Sequence, residues 1–205
     1  MTAYIPRLNA IPYDVFANPA ASILLPIALG TTVGFSSRRT CFIFPSIRLF
    51  GYVPLTGPHT AKQTHATYAA MKQPPLRPPP QVFGPVWTVL YGLMGYAAHR
   101  AVTRYPSPFA STDEVRALYS AQLGLNLLWM PLFFGLRKPV LALADIVSLV
   151  GLNGYLTYLY FSVDSTAGWC QLPYMVWLGF ATYLTAGVGY LNNWDISEAT
   201  LAKRI

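Results

Sequence analysis

The residues of this chain that could do chemistry are polar and aromatic side chains set inside long apolar stretches. Asp145 is the only acid within such a stretch. A carboxylate there can anchor the polar group of a ligand, or be satisfied by nearby backbone or by Asn126. Asn126 and Trp129 are three residues apart and share a helix face, as do Trp87 and Tyr91 at a spacing of four. Tyr174, Trp177, Ala181 and Leu184 follow a 3-4-3 spacing and also share a face. Core packing or an interfacial belt accounts for such stripes as readily as a ligand pocket does. Other chemistries find no footing. His59, His65 and His99 lack ligand spacing, Gly92-Leu-Met-Gly95 falls inside a helix rather than in a phosphate loop, and no Ser/His/Asp set is arguable. Cys41 and Cys170 make neither a disulfide framework nor a structural zinc site. No catalytic residue, metal site or cofactor is called for, and the expectation is a binding protein rather than an enzyme.

The elements that must carry these residues are set by composition. Of 205 residues, 54% are hydrophobic, 15% aromatic and only 10% charged. Mean hydropathy is +0.38. An average soluble domain has about 25% charged residues. The composition excludes a disordered chain and a disulfide scaffold, and it favours a membrane protein. Apolar stretches at 18–37, 82–103, 115–135, 139–161 and 169–191 each have about the 20 residues that an α-helix needs to cross hydrocarbon. They show no period-2 alternation, so strands are not expected. The fold expected is an all-α membrane protein, a bundle of five transmembrane helices over 18–194. An N-terminal segment 1–17 precedes it and a tail 195–205 follows. Segment 38–80, rich in proline and bases and free of acids, reads as a long loop with a short amphipathic turn near 42–52. Residues 162–168 read as a short polar connector.

The net charge of +7 is a topological signal before it is anything else. With five spans, Arg7, Arg100, Arg104 and Arg116 share one side. Arg38, Arg39, Arg48, Lys62, Lys72, Arg77, Arg137, Lys138, Lys203 and Arg204 share the other, and the positive-inside rule places that side, with loop 38–80 and the C-terminus, in the cytosol. No basic stripe interleaved with aromatics points to nucleic acid. Counted at 1.5 Å per residue from helix ends, Tyr91, Asn126, Trp129, Asp145 and Ala181 lie roughly 9–15 Å below the loop surface, and Trp177 roughly 20 Å below it. Antiparallel helices thus bring aromatics, an amide and a carboxylate to nearly one level, in a pocket capped by the loop and suited to a flat hydrophobic ligand. Gly30-x-x-x-Gly34 lets backbones approach closely, either in a homodimer or against a neighbouring helix of the same bundle.

Several motifs give the chain a familiar look. They are Lys72-Gln-Pro-Pro-Leu-Arg-Pro-Pro79, Val82-Phe-Gly-Pro-Val-Trp87, Leu90-Tyr91 and Met94-Gly-Tyr96. Further on come Gln122-Leu-x-Leu-Asn126-x-x-Trp129-x-Pro131-x-Phe-Phe-Gly135, Ala144-Asp145 and Pro173-Tyr-x-x-Trp177-x-x-Phe-Ala181. In order and spacing the chain resembles the translocator protein family (TspO/MBR, the peripheral-type benzodiazepine receptors), in a eukaryotic, fungal-like form. The resemblance is strong over about 64–194 and weaker in the first span. It implies a five-helix bundle in the mitochondrial outer membrane, or in the ER or another endomembrane. It also implies a pocket for porphyrin, haem, sterols or benzodiazepine-type drugs under the first loop. By position that pocket would use Tyr91, Asn126, Trp129, Asp145, Trp177, Ala181 and Leu184.

The chain also departs from the family pattern. A loop tryptophan that the family links to porphyrin breakdown falls on Thr67, and other family tryptophans fall on Leu76 and Leu141. After Tyr190 the chain reads Leu-Asn-Asn-Trp-Asp, which lacks the basic residue of the cholesterol motif. Stretch 38–58 lengthens the loop beyond the family's usual form. Receptor or carrier is therefore the leading expectation. Porphyrin breakdown, or a ligand-regulated adaptor in a stress response, are the alternatives.

Overall fold

The computed structural model describes residues 10–36, 71–104, 111–197 and 200. Every regular element among them is helical. In chain order they are α1 (Tyr13–Ala17), α2 (Pro19–Ser36), α3 (Pro80–Thr103), α4 (Thr112–Met130) running into a π-helical turn (Pro131–Gly135), α5 (Pro139–Val163) and α6 (Ser165–Leu191). The expected turn near 42–52 and most of the loop 38–80 lie outside the described residues.

Capping chemistry fixes the helix starts, and it lengthens the elements beyond their apolar stretches. Asn18 Oδ1 accepts from the N–H groups of Ala20 and Ala21, and Pro19 fills the first helical position of α2. Ser111 Oγ accepts from Glu114 N–H, so α4 opens at Thr112 rather than at 115. Asp164 accepts from Thr166 N–H, so α6 opens at Ser165, four residues before the expected 169. The stretch 162–168 is therefore not the polar connector expected. It is helical on both sides of Asp164, because a single extended residue that also caps the next helix suffices to reverse the chain.

Five of the helices have 18 residues or more. Thr112–Gly135 and Pro139–Val163 are long and apolar enough to cross a membrane, and Pro19–Val33 is a shorter apolar helix. The bundle is apolar outside and partly polar inside. Val140, Val147, Tyr158, Trp169 and Val176 face outward, while Gln122, Asn126, Asn153, Gln171 and Thr185 are buried. That inversion suits hydrocarbon, where inward polar groups must find partners within the bundle.

α6 packs along α5 and α3, α2 along α3, and α4 along α5. The α2–α3 contact depends on Gly95. A Cβ there would strike the backbone of Ser22, whose Oγ donates to Gly95 O at 2.7 Å. Gly95→Ala must push the helices apart. A loss of about 1–3 kcal/mol is expected, read as a lower melting temperature in detergent; an unchanged melting temperature would contradict this packing. Gly30 meets the Tyr91 ring in the same way. Gly30 thus contacts a neighbouring helix of its own bundle, one of the two readings its spacing allows.

The N-terminal segment is more than a lead-in. Phe16 of α1 is fully buried, edge-on to Tyr119 at 5.3 Å. Arg116 Nη2 donates to Ile11 O at 2.9 Å, and Ile11 N–H donates to Ser120 Oγ at 2.9 Å. Hydrophobic residues 11 and 16 carry no helical periodicity long enough to reveal this docking in sequence.

Candidate ligand-binding site

α3, α4 and α6 meet through a three-residue hydrogen-bonded chain. Tyr91 Oη donates to Asn126 Oδ1 at 2.7 Å, and Asn126 Nδ2 donates to Tyr174 Oη at 2.9 Å. All three residues are buried. A carboxamide is the side chain that can accept from one hydroxyl and donate to another in this way, so Asn126 ties three helices at one point. Tyr91 and Asn126 were expected in the site. Tyr174 was visible only as a member of an aromatic stripe, because sequence periodicity assigns a face and not a partner on another helix.

An aromatic wall stands beside this chain. The Trp87 ring lies 5.2 Å from Tyr91, 6.2 Å from Tyr174 and 6.4 Å from Trp177. Trp177 is edge-on to Phe83 at 5.9 Å. Trp177 is therefore not the deepest residue of the set, as counting from helix ends had it. Phe83 sits in the first turn of α3, so Trp177 is level with the start of that helix. The count assumed that helices begin flush. Here the chain before α3 descends along α6: Asn192 bonds Lys72, Gly187 adjoins Pro74 and Tyr183 bonds Pro75, so α3 starts lower.

On the α4 side, Trp129 stacks on Phe133 at 4.9 Å and 13°, with Phe134 edge-on to it at 6.0 Å. The π-helical turn Pro131–Gly135 changes the phase of these rings. Single π turns inside α-helices recur at functional positions. Among the described residues, Trp129 Nε1 and both oxygens of Asp145 are buried without a hydrogen-bond partner. Asn126 spends its bonds on the two tyrosines, so it does not satisfy Asp145. Orphaned polar atoms in an apolar bundle are costly, and each calls for a partner. Gln122, one turn before Asn126 and on the same face, is likewise buried with both amide atoms unpaired among the described residues. Ala181 and Leu184 are half-buried on α6, with Ala181 packed against the main core.

At the loop end a second apolar cluster of Met71, Phe133, Ala142, Val188 and Ile196 closes the bundle, with Trp129 packed against it. Trp129 thus belongs to both clusters and links the site to the segment before α3 and to the C-terminal turn. The arrangement offers stacking surfaces and a few hydrogen-bonding groups, the features by which an apolar pocket holds and orients a ligand.

The TspO/MBR family profile matches residues 42–191. A translocator protein homolog of Schizosaccharomyces pombe is 46% identical over 126 residues, which span 61% of this chain and 77% of that protein. The human translocator protein is 37% identical over 118 residues, 57% of this chain and 69% of its own. The tryptophan-rich sensory protein of Cereibacter sphaeroides is 34% identical over 132 residues, 64% of this chain and 80% of its own. These relatives are named as translocator and sensory proteins, not as enzymes. The matched span covers most of the chain and takes in α3 to α6, with Tyr91, Asn126, Trp129, Asp145, Tyr174 and Trp177, and on that ground the chain belongs to the TspO/MBR family of membrane proteins.

Proposed function

We propose that this protein is a five-span membrane receptor or carrier for flat lipophilic molecules. Porphyrin or haem are the leading ligands and sterols a second class. The ligand is held between α3, α4 and α6 below loop 38–80. What carries the reading is the Tyr91–Asn126–Tyr174 chain with an aromatic wall beside it, together with buried polar atoms at Trp129 and Asp145 that have no partner among the described residues. The wall gives a planar ligand faces and edges to stack on, each contact contributing about 0.5–1.5 kcal/mol beyond area burial. The unpaired indole N–H donates to an acceptor on the ligand, and Asp145 accepts from a ligand N–H or O–H. Tyr91, Asn126, Trp129, Asp145, Trp177, Ala181 and Leu184 line the pocket, with Trp87 and Tyr174 added. The mitochondrial outer membrane is the location proposed, with loop 38–80 and the C-terminus cytosolic on the charge split.

Protoporphyrin IX titrated into detergent-solubilised protein, followed by tryptophan quenching, tests this. Ala181→Leu puts volume where the ligand would lie, and about tenfold weaker binding is expected. Val147→Phe enlarges an outward-facing residue of α5 and should leave affinity unchanged. Equal affinity in the two folded variants would move the pocket elsewhere. Quenching without new absorbing products is expected; product formation would favour porphyrin breakdown.

A further inference from the structure

The chain immediately before α3 is fastened to α6 at three successive points. Asn192 is buried, and its carboxamide grips one residue on both sides: Lys72 N–H donates to Asn192 Oδ1 at 3.1 Å, and Asn192 Nδ2 donates to Lys72 O at 2.9 Å. The same Nδ2 also donates to Val188 O at 2.7 Å, which locks the carboxamide onto the last turn of α6. Two residues on, Pro74 fits against Gly187, where a Cβ would come within 2.8 Å of the proline ring. Next, Tyr183 Oη donates to Pro75 O at 3.0 Å. Beyond these points the segment runs through Pro78, Pro79 and Pro80 into α3, whose Phe83 meets Trp177.

The turn that presents Asn192 is held in an unfavourable backbone. Asn193 and Trp194 have φ of 54° and 58°, the left-handed region. Asparagine tolerates it, but tryptophan there costs about 1–2 kcal/mol. The strain is offset locally. Trp194 N–H donates to Gly189 O at 2.7 Å, its ring lies against Gly189, and Ile196 is fully buried beside Met71.

We infer that Asn192 is a positioning residue for the ligand pocket: it clamps the end of the loop onto α6 and so governs how fast a ligand exchanges. The inference rests on the binding role proposed above. Its chemical warrant is that a carboxamide carries a donor and an acceptor on two separate atoms, and so can hold the N–H and the C=O of one peptide residue at once. Aspartate retains the acceptor alone, and alanine neither. Because the segment leads from Pro75 through the start of α3 to the wall formed by Phe83 and Trp177, release of the clamp opens that side of the site.

Two readouts test it on the full chain in detergent. The Lys72 side chain is exposed while its carbonyl is held by Asn192, so tryptic cleavage between Lys72 and Gln73, followed by mass spectrometry, reports clamp opening. Asn192→Asp and Asn192→Ala should raise that rate roughly tenfold, and Tyr183→Phe roughly threefold. Protoporphyrin IX dissociation should speed up in the same order. Tyr183 is largely exposed, so Tyr183→Phe should melt with the native protein, which separates clamping from general destabilisation. Tyr190→Phe, exposed on the same helix, should change neither rate. Unchanged cleavage in all three variants overturns the clamp whatever the protein binds. Faster cleavage with unchanged dissociation overturns its role in exchange. A native chain that fails to bind protoporphyrin overturns the pocket reading, and with it the role in exchange, while the cleavage rates still decide the clamp.

Discussion

Asn126→Leu is expected to lower the stability of the bundle by about 2–3 kcal/mol and to abolish measurable protoporphyrin affinity. Leucine has the same number of side-chain heavy atoms and the same branching as asparagine, so it keeps the outline of the side chain, though its methyl groups are bulkier. What changes is that the hydroxyls of Tyr91 and Tyr174 lose their shared partner while both stay buried. Each stranded hydroxyl costs about 1–3 kcal/mol, and the total is held down because a chain unfolded within a bilayer or micelle also finds partners. A second variant separates hydrogen bonding from shape. Tyr91→Phe and Tyr174→Phe added to Asn126→Leu remove all three polar groups together, and melting should return most of the way to the native value. Binding should not return, because the donors and acceptors that orient a ligand are gone. Native-like melting of Asn126→Leu alone would show that this chain of bonds does not hold α3, α4 and α6 together.

Much of this was legible in the residues. The apolar stretches fall on long helices, and two of these, Thr112–Gly135 and Pro139–Val163, are long and apolar enough to cross a membrane, because hydrocarbon thickness and helix length are linked by the rise per residue. Spacing put Asn126 with Trp129, and Trp177 with Ala181, on common faces. Three things were not legible, each for a physical reason. Asp164 both ends α5 and caps α6, and a polar run in sequence cannot be told from a reversal made by a single residue. Trp177 was placed too deep because helix stagger is set by where the preceding chain is fastened, at Asn192, Gly187 and Tyr183, and those bonds span about 110–120 residues of sequence. Gly30 served equally for a contact between copies or within one chain, and its contact with the Tyr91 ring depends on a partner 61 residues away that spacing cannot name.

The same distinction between local signal and long-range partner applies at the opposite end of the bundle, and it yields a pH-dependent expectation. Asp164 Oδ2 accepts from Arg100 Nε at 2.8 Å, Arg100 Nη2 lies 2.8 Å and Arg104 Nε 3.3 Å from the same oxygen, and Oδ1 accepts from Thr166 N–H at 2.8 Å. Burial by itself would raise the carboxyl's pKa. The Thr166 N–H and the two guanidinium groups outweigh it and hold the group below the ordinary carboxylate range. A carboxyl depressed on folding stabilises the native state above its unfolded pKa of about 3.9, and that contribution disappears as pH falls through the lower folded value. Asp164→Ala removes the helix cap, about 1 kcal/mol on its own, together with both arginine contacts. Melting at neutral pH should fall by roughly 5–10 °C in consequence. The difference between native and variant should stay constant from pH 8 down to about pH 5 and shrink below about pH 4, where the native carboxylate takes up its proton. Asp164→Asn keeps an acceptor for Thr166 N–H but leaves Arg100 without its counter-charge, so it should recover part of the loss and none of the acid dependence. A gap between native and alanine variant that is unchanged at pH 3, or that widens there, would show that the Arg100–Asp164 pair does not hold the α5–α6 reversal against α3.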